Sequence, residues 1–384
     1  MVVPFMQDFA RPWGVLGGEL GVLFAVYAVT MLATLPFAGR LCDRIGAGHA
    51  LRLGAGGLLL SLLLFATANN DVVLFVARAV QGAAAGMTWT SGLALLAAAF
   101  PAERRGRALG FAMAGMSLGS VVGPAVGGRL FDWGGPRMPF WIAAGWTLAE
   151  FSLLLVVRLP SGPRVATTES SVSGGLSLRG YERIAGVVVV GAFLLCGLEP
   201  TLPSDLEARL GARPSIIGDL FALAALAYGI ASPAVGWAVD RWGGRPVIAV
   251  GLAACAAILP LAANPRTWWG EAAALAGLGS ALAFVLAPTL PEIAAACERN
   301  GANTFGAAYA IFNLAYAVGM AGGQMAGGWM APAFGFGPTL FVFSAVAAAY
   351  LPVLIGIDPN RKRERSLFKS VANATGRDSA DRAA

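Results

Sequence analysis

The sequence predicts an all-α membrane protein built from two pseudo-symmetric helix bundles. Three observations predict it. The first is composition: of 384 residues, 57% are hydrophobic and 12% charged, with a mean hydropathy of +0.69, well outside the range of soluble domains. The second is a repeat. Gly39-Arg-Leu-Cys-Asp43-Arg44-Ile-Gly46 returns as Gly236-Trp-Ala-Val-Asp240-Arg241-Trp-Gly243 at an offset of 197 residues. At that same offset Leu23-Phe24-Ala25 matches Leu220-Phe221-Ala222, and Pro36 matches Pro233. A charged turn repeated between long apolar runs marks an internally duplicated bundle. The third is the uneven placement of arginine and lysine between alternate connections.

Eleven apolar runs approach the roughly 20 residues that cross a bilayer core. Runs 17–38 and 50–68 flank the first Asp-Arg turn. Run 72–99 opens after Asp71 and carries Arg78, and run 107–130 follows Arg104, Arg105 and Arg107. Run 139–157 opens at Pro139 and contains Glu150. Run 184–203 starts the second half after Arg183, and Pro203 with Asp205 is expected to end it. Run 215–238 mirrors the first and closes on the second Asp-Arg turn, followed by 246–263, 268–290, 304–331 and 337–356.

Sorted by side, 20 of the 27 basic residues fall in one set of connections, which includes the C-terminal tail, and 6 in the other, with Arg78 inside a span. The positive-inside rule places the richer set in the cytoplasm. The expected layout is an N-terminal bundle over 1–157 with five spans, a polar cytoplasmic linker over 158–183, a C-terminal bundle over 184–356 with six spans, and a basic tail over 357–384. By the 197-residue offset, run 184–203 has no first-half twin beyond Val2-Val3-Pro4-Phe5. The expectation is therefore that a first helix of the usual twelve is missing; a genuine eleven-span protein is the alternative.

Several functions are excluded. The net charge of +6 is explained by topology and does not call for nucleic acid. Cys42, Cys196, Cys255 and Cys297 are scattered and His49 is the only histidine, so no metal site, cofactor or Cys/His nucleophile is expected. No phosphate-binding G-x4-G-K-[S/T] loop exists, so ATP is not the energy source, and no enzymatic activity is expected.

Four motifs carry the chemistry. Asp43 and Asp240 are expected at the start of the helix after each turn, where a carboxylate suits the exposed N–H groups. They serve as caps and topology anchors, or as latches with Arg105 or Arg107. Arg78-Ala-Val-Gln81-Gly82 lies inside a span, where a guanidinium must face a partner or a wet cavity, or else snorkel outward. Gly115-x3-Gly119-x3-Gly123-Pro124-x2-Gly127-Gly128 sets glycines on one helix face, suited to close packing and sliding, and Gly319-x3-Gly323-Gln324-x2-Gly327-Gly328 is its degenerate copy. Leu198-Glu199-Pro200-Thr201-Leu202-Pro203 places the one ionisable residue between Arg183 and Asp205. A carboxylic acid inside a span can exchange a proton for a cationic substrate; in a wet outer mouth it would be unremarkable. Glu150, near mid-membrane, suits either pairing within the bundle or transport. Uncharged candidates for a central cavity are Tyr27, Gln81, Thr88, Trp89, Ser91, Tyr228, Asn313, Tyr316 and Gln324.

The Asp-Arg turns resemble the loop signature of the major facilitator superfamily. Arg78 with Gln81 and the Gly123-Pro124 run resemble the fourth- and fifth-helix signatures of its proton-coupled antiporters. The Glu199 string and Ala308-Tyr309-Ala310-Ile311-Phe312-Asn313-Leu314-Ala315-Tyr316 are similar to the vesicular amine and polyamine transporters and their bacterial relatives. The resemblance implies a major facilitator fold and proton-driven efflux, by alternating access, of a small, cationic or amphiphilic organic compound. Glu199 and Arg78 would couple the proton; Gln81, Glu150 and Asn313 would contribute to the site. Conformational roles would fall to Gly39, Asp43, Arg44, Gly46, Arg105, Arg107, Gly119, Gly123, Pro124, Gly127, Gly236, Asp240, Arg241 and Gly243. Asn313 and Leu286 stand where the vesicular amine transporters carry acids, so the antiporter class is implied rather than a monoamine substrate. A multi-pass cell-membrane monomer with a cytoplasmic C-terminus is expected. A symporter or uniporter for a neutral metabolite, or a non-transporting remnant without the first helix, are the alternatives.

Overall fold

The computed structural model describes residues 2–100, 102–157, 159, 182–263, 265, 267–299 and 305–356. The linker and the C-terminal tail, and with them two of the expected regions, lie outside the described residues, as does the side chain of Cys297. Every regular element among the described residues is helical. In order they are α1 Met6–Ala10, α2 Gly18–Ile45, α3 Ala47–Thr67, α4 Asp71–Ala99, α5 Ala102–Gly134, α6 Met138–Val156, α7 Glu182–Gly197, α8 Leu202–Leu210, α9 Pro214–Trp242, α10 Gly244–Ala262, α11 Trp268–Leu286, α12 Thr289–Arg299, α13 Phe305–Phe334 and α14 Phe336–Ile355.

Ten helical stretches are long and apolar enough to cross a membrane, with α7–α8 and α11–α12 each counting as one. The 30-residue α13 lies where the remaining run was expected. An all-α membrane bundle follows, because only helices and closed barrels satisfy backbone polar groups inside lipid.

The repeat is legible in atomic contacts. A side-chain carbon added to Gly82 on α4 would collide with the Tyr27 carbonyl on α2; its twin, Gly279 on α11, would collide with the Ala224 carbonyl on α9. Gly54 on α3 abuts Thr88 on α4, and Gly251 on α10 abuts Phe284 and Val285 on α11. Both contact pairs repeat at the offset of 197. Glycine here lets two helix backbones touch.

The two Asp-Arg turns are also twins, but they correct one expectation. Gly46 (φ 86°, ψ 147°) and Gly243 (φ 83°, ψ 160°) make the turns, a conformation that favours glycine. Asp43 and Asp240 lie in the last turns of α2 and α9, before those glycines, rather than at the start of the next helix. The helices run on for two residues past the acids because nothing before the glycine breaks them. The exposed N–H of Gly244 that opens α10 is instead met by the Glu292 carboxylate of α12, at 3.2 Å.

A second correction concerns Glu199. Its helix ends at Gly197, and residues 198–201 form a turn before α8 resumes and runs to Leu210. Pro203 does not end the span. It occupies the first turn of α8, where its missing N–H costs nothing.

Candidate functional site

The two halves meet at two crossings related by the repeat. Near its start, α2 touches α13: a side-chain carbon on Gly21 would lie 2.6 Å from the Gln324 carbonyl oxygen and 2.9 Å from the Gly328 Cα. In the same way α9 touches α5, with Gly218 against the Pro124 carbonyl and Gly128 against the Pro214 carbonyl. Gly21 and Gly218 are 197 residues apart, and Pro124 and Gly128 correspond to Gln324 and Gly328 in the glycine-rich motif. Gly128 and Pro124 of that motif thus serve the contact between halves, and Gly127 is buried beside them. In the degenerate copy, Gly319, Gly323 and Gly327 pack on α7 at Val189, Phe193 and Gly197, whereas Gly115 and Gly119 on α5 have no described residue within 4 Å.

Polar clasps reinforce the same end. Arg129 on α5 holds Asp219 on α9 through two hydrogen bonds of 2.6 and 3.0 Å. The Ser215 N–H donates to Asp132 at 3.2 Å. Arg11 binds Glu207 of α8 at 2.9 Å and Asp8 of α1 at 3.4 Å, and Ser204 donates to Gln7. Toward the Asp-Arg turns, by contrast, a side-chain carbon added to Gly39 on α2, Gly110 on α5, or Gly229 and Gly236 on α9 would meet no described atom of another helix within 4 Å. The halves are joined at the end opposite those turns.

Just inside the α2–α13 crossing, α2, α4, α7 and α13 bring the central residues together. Arg78 is buried (6% exposed), so it does not snorkel. Its guanidinium lies over the rings of Phe24 and Tyr27, at 5.0 and 4.9 Å, and Nη1 donates to Gln81 Oε1 at 2.7 Å. Such stacking offsets part of the desolvation of a buried cation. Its Nε has no partner. Arg78, Gln81 and Tyr27 line a cavity of about 220 Å³, otherwise walled by apolar groups that include Phe5, Leu62 and Phe140.

Glu199 occupies the turn between α7 and α8, half-buried. The backbone is carried through the break by Glu199 N–H to the Cys196 carbonyl and Thr201 N–H to the Leu198 carbonyl, both 3.2 Å. Irregular backbone inside a bundle is tolerated where it lines a cavity or a site. Gln324 of α13, itself buried, donates to Glu199 Oε2 at 2.7 Å. Cys196, Met320, Tyr316, Ala28 and Tyr27 fill the space between the halves beside this bond. Tyr27, whose ring lies under the Arg78 guanidinium, belongs to the same packed group, so Arg78 borders that space without a direct ion pair to Glu199. Asn313 lies half-buried on α13, spaced with Tyr316, Met320 and Gln324 at three or four residues and thus on one helix face. The arrangement offers an acid that can hold or release a proton, a fixed amide donor to it, and a buried cation opposite.

Not every expected residue belongs here. Glu150 is exposed on α6, beside exposed Trp146 and Leu153, and is not brought to Glu199 or Arg78. Trp146, Glu150 and Leu153 are spaced at four and three residues and so share one exposed face of α6. Asp43, Arg44, Asp240 and Arg241 lie at the far end; Asp43 is about 24 Å along α2 from Tyr27. The side chains of Arg105 and Arg107 lie outside the described residues.

Comparison with known proteins extends these observations. The sequence model of the Major Facilitator Superfamily matches residues 1–198 and again 184–376. The chain is 31% identical over 354 residues to the probable vesicular acetylcholine transporter-B of Danio rerio, covering 89% of this chain and 70% of that one. It is 30% identical over 357 residues to the chromaffin granule amine transporter of Rattus norvegicus, covering 92% and 68%. Among solved structures it is similar in fold to the nucleoside transporter NupG, with a TM-score of 0.70 at 12% identity and 92% and 94% coverage. It is also similar to the human organic anion transporter MFSD10, with a TM-score of 0.64 at 17% identity and 92% and 89% coverage.

Proposed function

Because the chain belongs to the Major Facilitator Superfamily, we propose that it is a proton-coupled antiporter that expels a small cationic or amphiphilic organic compound. The observation that carries this reading is Glu199: an acid at a helix break, held by Gln324, facing the buried Arg78 across the boundary between halves. Relatives named as acetylcholine and amine transporters support a cationic substrate.

In this reading the basic end is cytoplasmic, the C-terminus lies on that side, and the protein works as a monomer in the cell membrane. The halves, joined at the outer end, represent the state open to the cytoplasm. Substrate enters from that side and competes with the proton on Glu199. Ionised Glu199 pairs with the cation, and Arg78 disfavours a second positive charge unless Glu199 is ionised. Gln324 ties this event to the gate, since its side chain holds Glu199 while its carbonyl abuts Gly21 at the crossing. Gln81 fixes Arg78, and Asn313 offers a neutral polar contact on the same α13 face. The Gly-Pro segment of α5 and the Asp-Arg turns are assigned to rocking and latching.

The test is transport in reconstituted vesicles with an imposed proton gradient. Glu199→Gln should abolish gradient-driven uptake and substrate-induced proton release. A Glu199→Gln variant that still expels substrate and dissipates the gradient would sink the assignment. Transport that persists without any gradient would favour a uniporter.

A further inference from the structure

Outside the central site, α8 and α11 build a buried charge cluster that the mechanism above does not use. Glu271, in the first turn of α11, is fully buried (0% exposed). Its Oε2 accepts from Arg209 Nη2 at 2.9 Å. The same guanidinium also holds Asp205: Nη2 and Nε both donate to Asp205 Oδ2, at 2.7 and 2.9 Å. Arg209 Nη1 donates to the Pro265 carbonyl. All three guanidinium nitrogens are therefore committed, and no other charged side chain among the described residues pairs with Glu271.

Glu271 Oε1 is buried with no hydrogen-bond partner among the described residues. Among the described residues one positive charge is shared by two carboxylates, so the cluster carries an excess negative charge, and the Glu271 end of it is shut off from water. Buried charges are retained only when compensated. A proton on Oε1 cancels the excess charge and leaves Oε2 free to accept from Arg209. Asp205 provides the route. It lines a cavity of about 170 Å³ with Thr201, Ser204 and Pro200, the residue that follows Glu199, and with Gly17, Gly328 and Pro332 at the α2–α13 crossing.

We propose that Asp205, Arg209 and Glu271 form a second protonation site, with its proton on Glu271 Oε1, that exchanges with water through the cavity beside the outer crossing. When the crossing opens, the proton leaves to that water and the cluster takes up its negative charge in a hydrated state. The part this site plays in transport rests on the proton-coupled reading above; its protonation does not.

Infrared spectroscopy of the purified full-length protein in lipid nanodiscs, titrated from acidic to alkaline pH, tests it. The wild type should show a carbonyl band of a buried protonated carboxylic acid at neutral pH. That band should vanish in Glu271→Gln. It should also vanish in Asp205→Asn, because one carboxylate then remains per guanidinium and Glu271 pairs with Arg209 as an anion. Asp205 is the more accessible residue, so this second variant carries the test if Glu271→Gln does not fold. Glu199→Gln should keep the band, which separates this site from the central one. Persistence of the band in Glu271→Gln, or in Asp205→Asn, would overturn the proposal, as would its absence in the wild type.

Discussion

Substituting Gly21 by alanine probes the crossing that, in the proposed orientation, closes the outer end. The added methyl would sit 2.6 Å from the Gln324 carbonyl oxygen and 2.9 Å from the Gly328 Cα. Ordinary contact needs about 3.4 Å or more, and both obstacles are backbone, so side-chain rotation offers no relief. The helices must part by roughly 1 Å. Overpacking of this kind costs about 1–3 kcal/mol. It falls on the outer-closed state alone, because an opened crossing has no such contact. The share of molecules open to the outer side should rise about 5- to 150-fold. A reporter, Thr201→Cys in a background without the four native cysteines, reads this as the labelling rate with a membrane-impermeant thiol reagent applied outside. Thr201 is buried and lines the cavity behind the crossing. Gly218→Ala should act alike, since it meets the Pro124 carbonyl at the twin crossing. Gly229→Ala, with nothing within 4 Å, should change little. A folded Gly21→Ala protein labelled at the parental rate, or equal acceleration by Gly229→Ala, would refute the reasoning.

The clasp between Arg129 and Asp219 is bidentate but about half exposed on both sides, so Asp219→Ala should weaken closure by about 0.2–1 kcal/mol. The same labelling assay should detect a few-fold acceleration that shrinks at high salt, and the exchanged pair Arg129→Asp with Asp219→Arg should restore it. A pH dependence is expected from Asp8. Burial, then the nearby Glu207 charge, push its carboxyl above the usual value, Arg11 pulls it down, and Asp132 adds to the rise. The folded protein therefore keeps this proton to higher pH than the unfolded chain does. Asp8 favours folding fully below its unfolded value, and that advantage is lost as pH rises through its folded value. Melting temperatures compared between mildly acidic and neutral pH should fall less in Asp8→Asn than in the parent; an identical fall would exclude Asp8 as a cause.

Much of the fold was legible because lipid imposes a simple rule: long apolar runs between charges are helices. The offset of 197 predicted twin turns, and it reappears in the contacts of Gly82 and Gly279. Arg78 was legible too, since an arginine within a span has few places to go. The helix break at Glu199 was not, because Pro203 reads as a terminator yet sits at a helix start, where proline is compatible. Asp43 and Asp240 were set one helix too late because an Asp before Gly resembles a cap. Depth alone left Glu150 open to either pairing within the bundle or transport, because depth says nothing about the face. The Asp205–Arg209–Glu271 cluster escaped notice because Arg209 and Glu271 are 62 residues apart. A signal existed: Glu271 is an acid inside an apolar run, and Asp205 and Arg209 stand four apart on one helix face. Arg129 and Arg11 were counted for sidedness, and a tally of sides discards their partners.

The twin crossings have a mechanical consequence. Each sits near one end of a long, continuous helix, Gly21 on α2 and Gly218 on α9. From either glycine to the last residue of its helix, Ile45 or Trp242, is 24 residues, a lever arm of about 36 Å. Over such an arm a tilt of about 10° displaces one end by roughly 6 Å relative to the other. Because the arms are equal, the same tilt would displace the two Asp-Arg turns by the same distance. Parting of the crossings and approach of the Asp-Arg turns would then be opposite ends of one tilt, matched in length in the two halves.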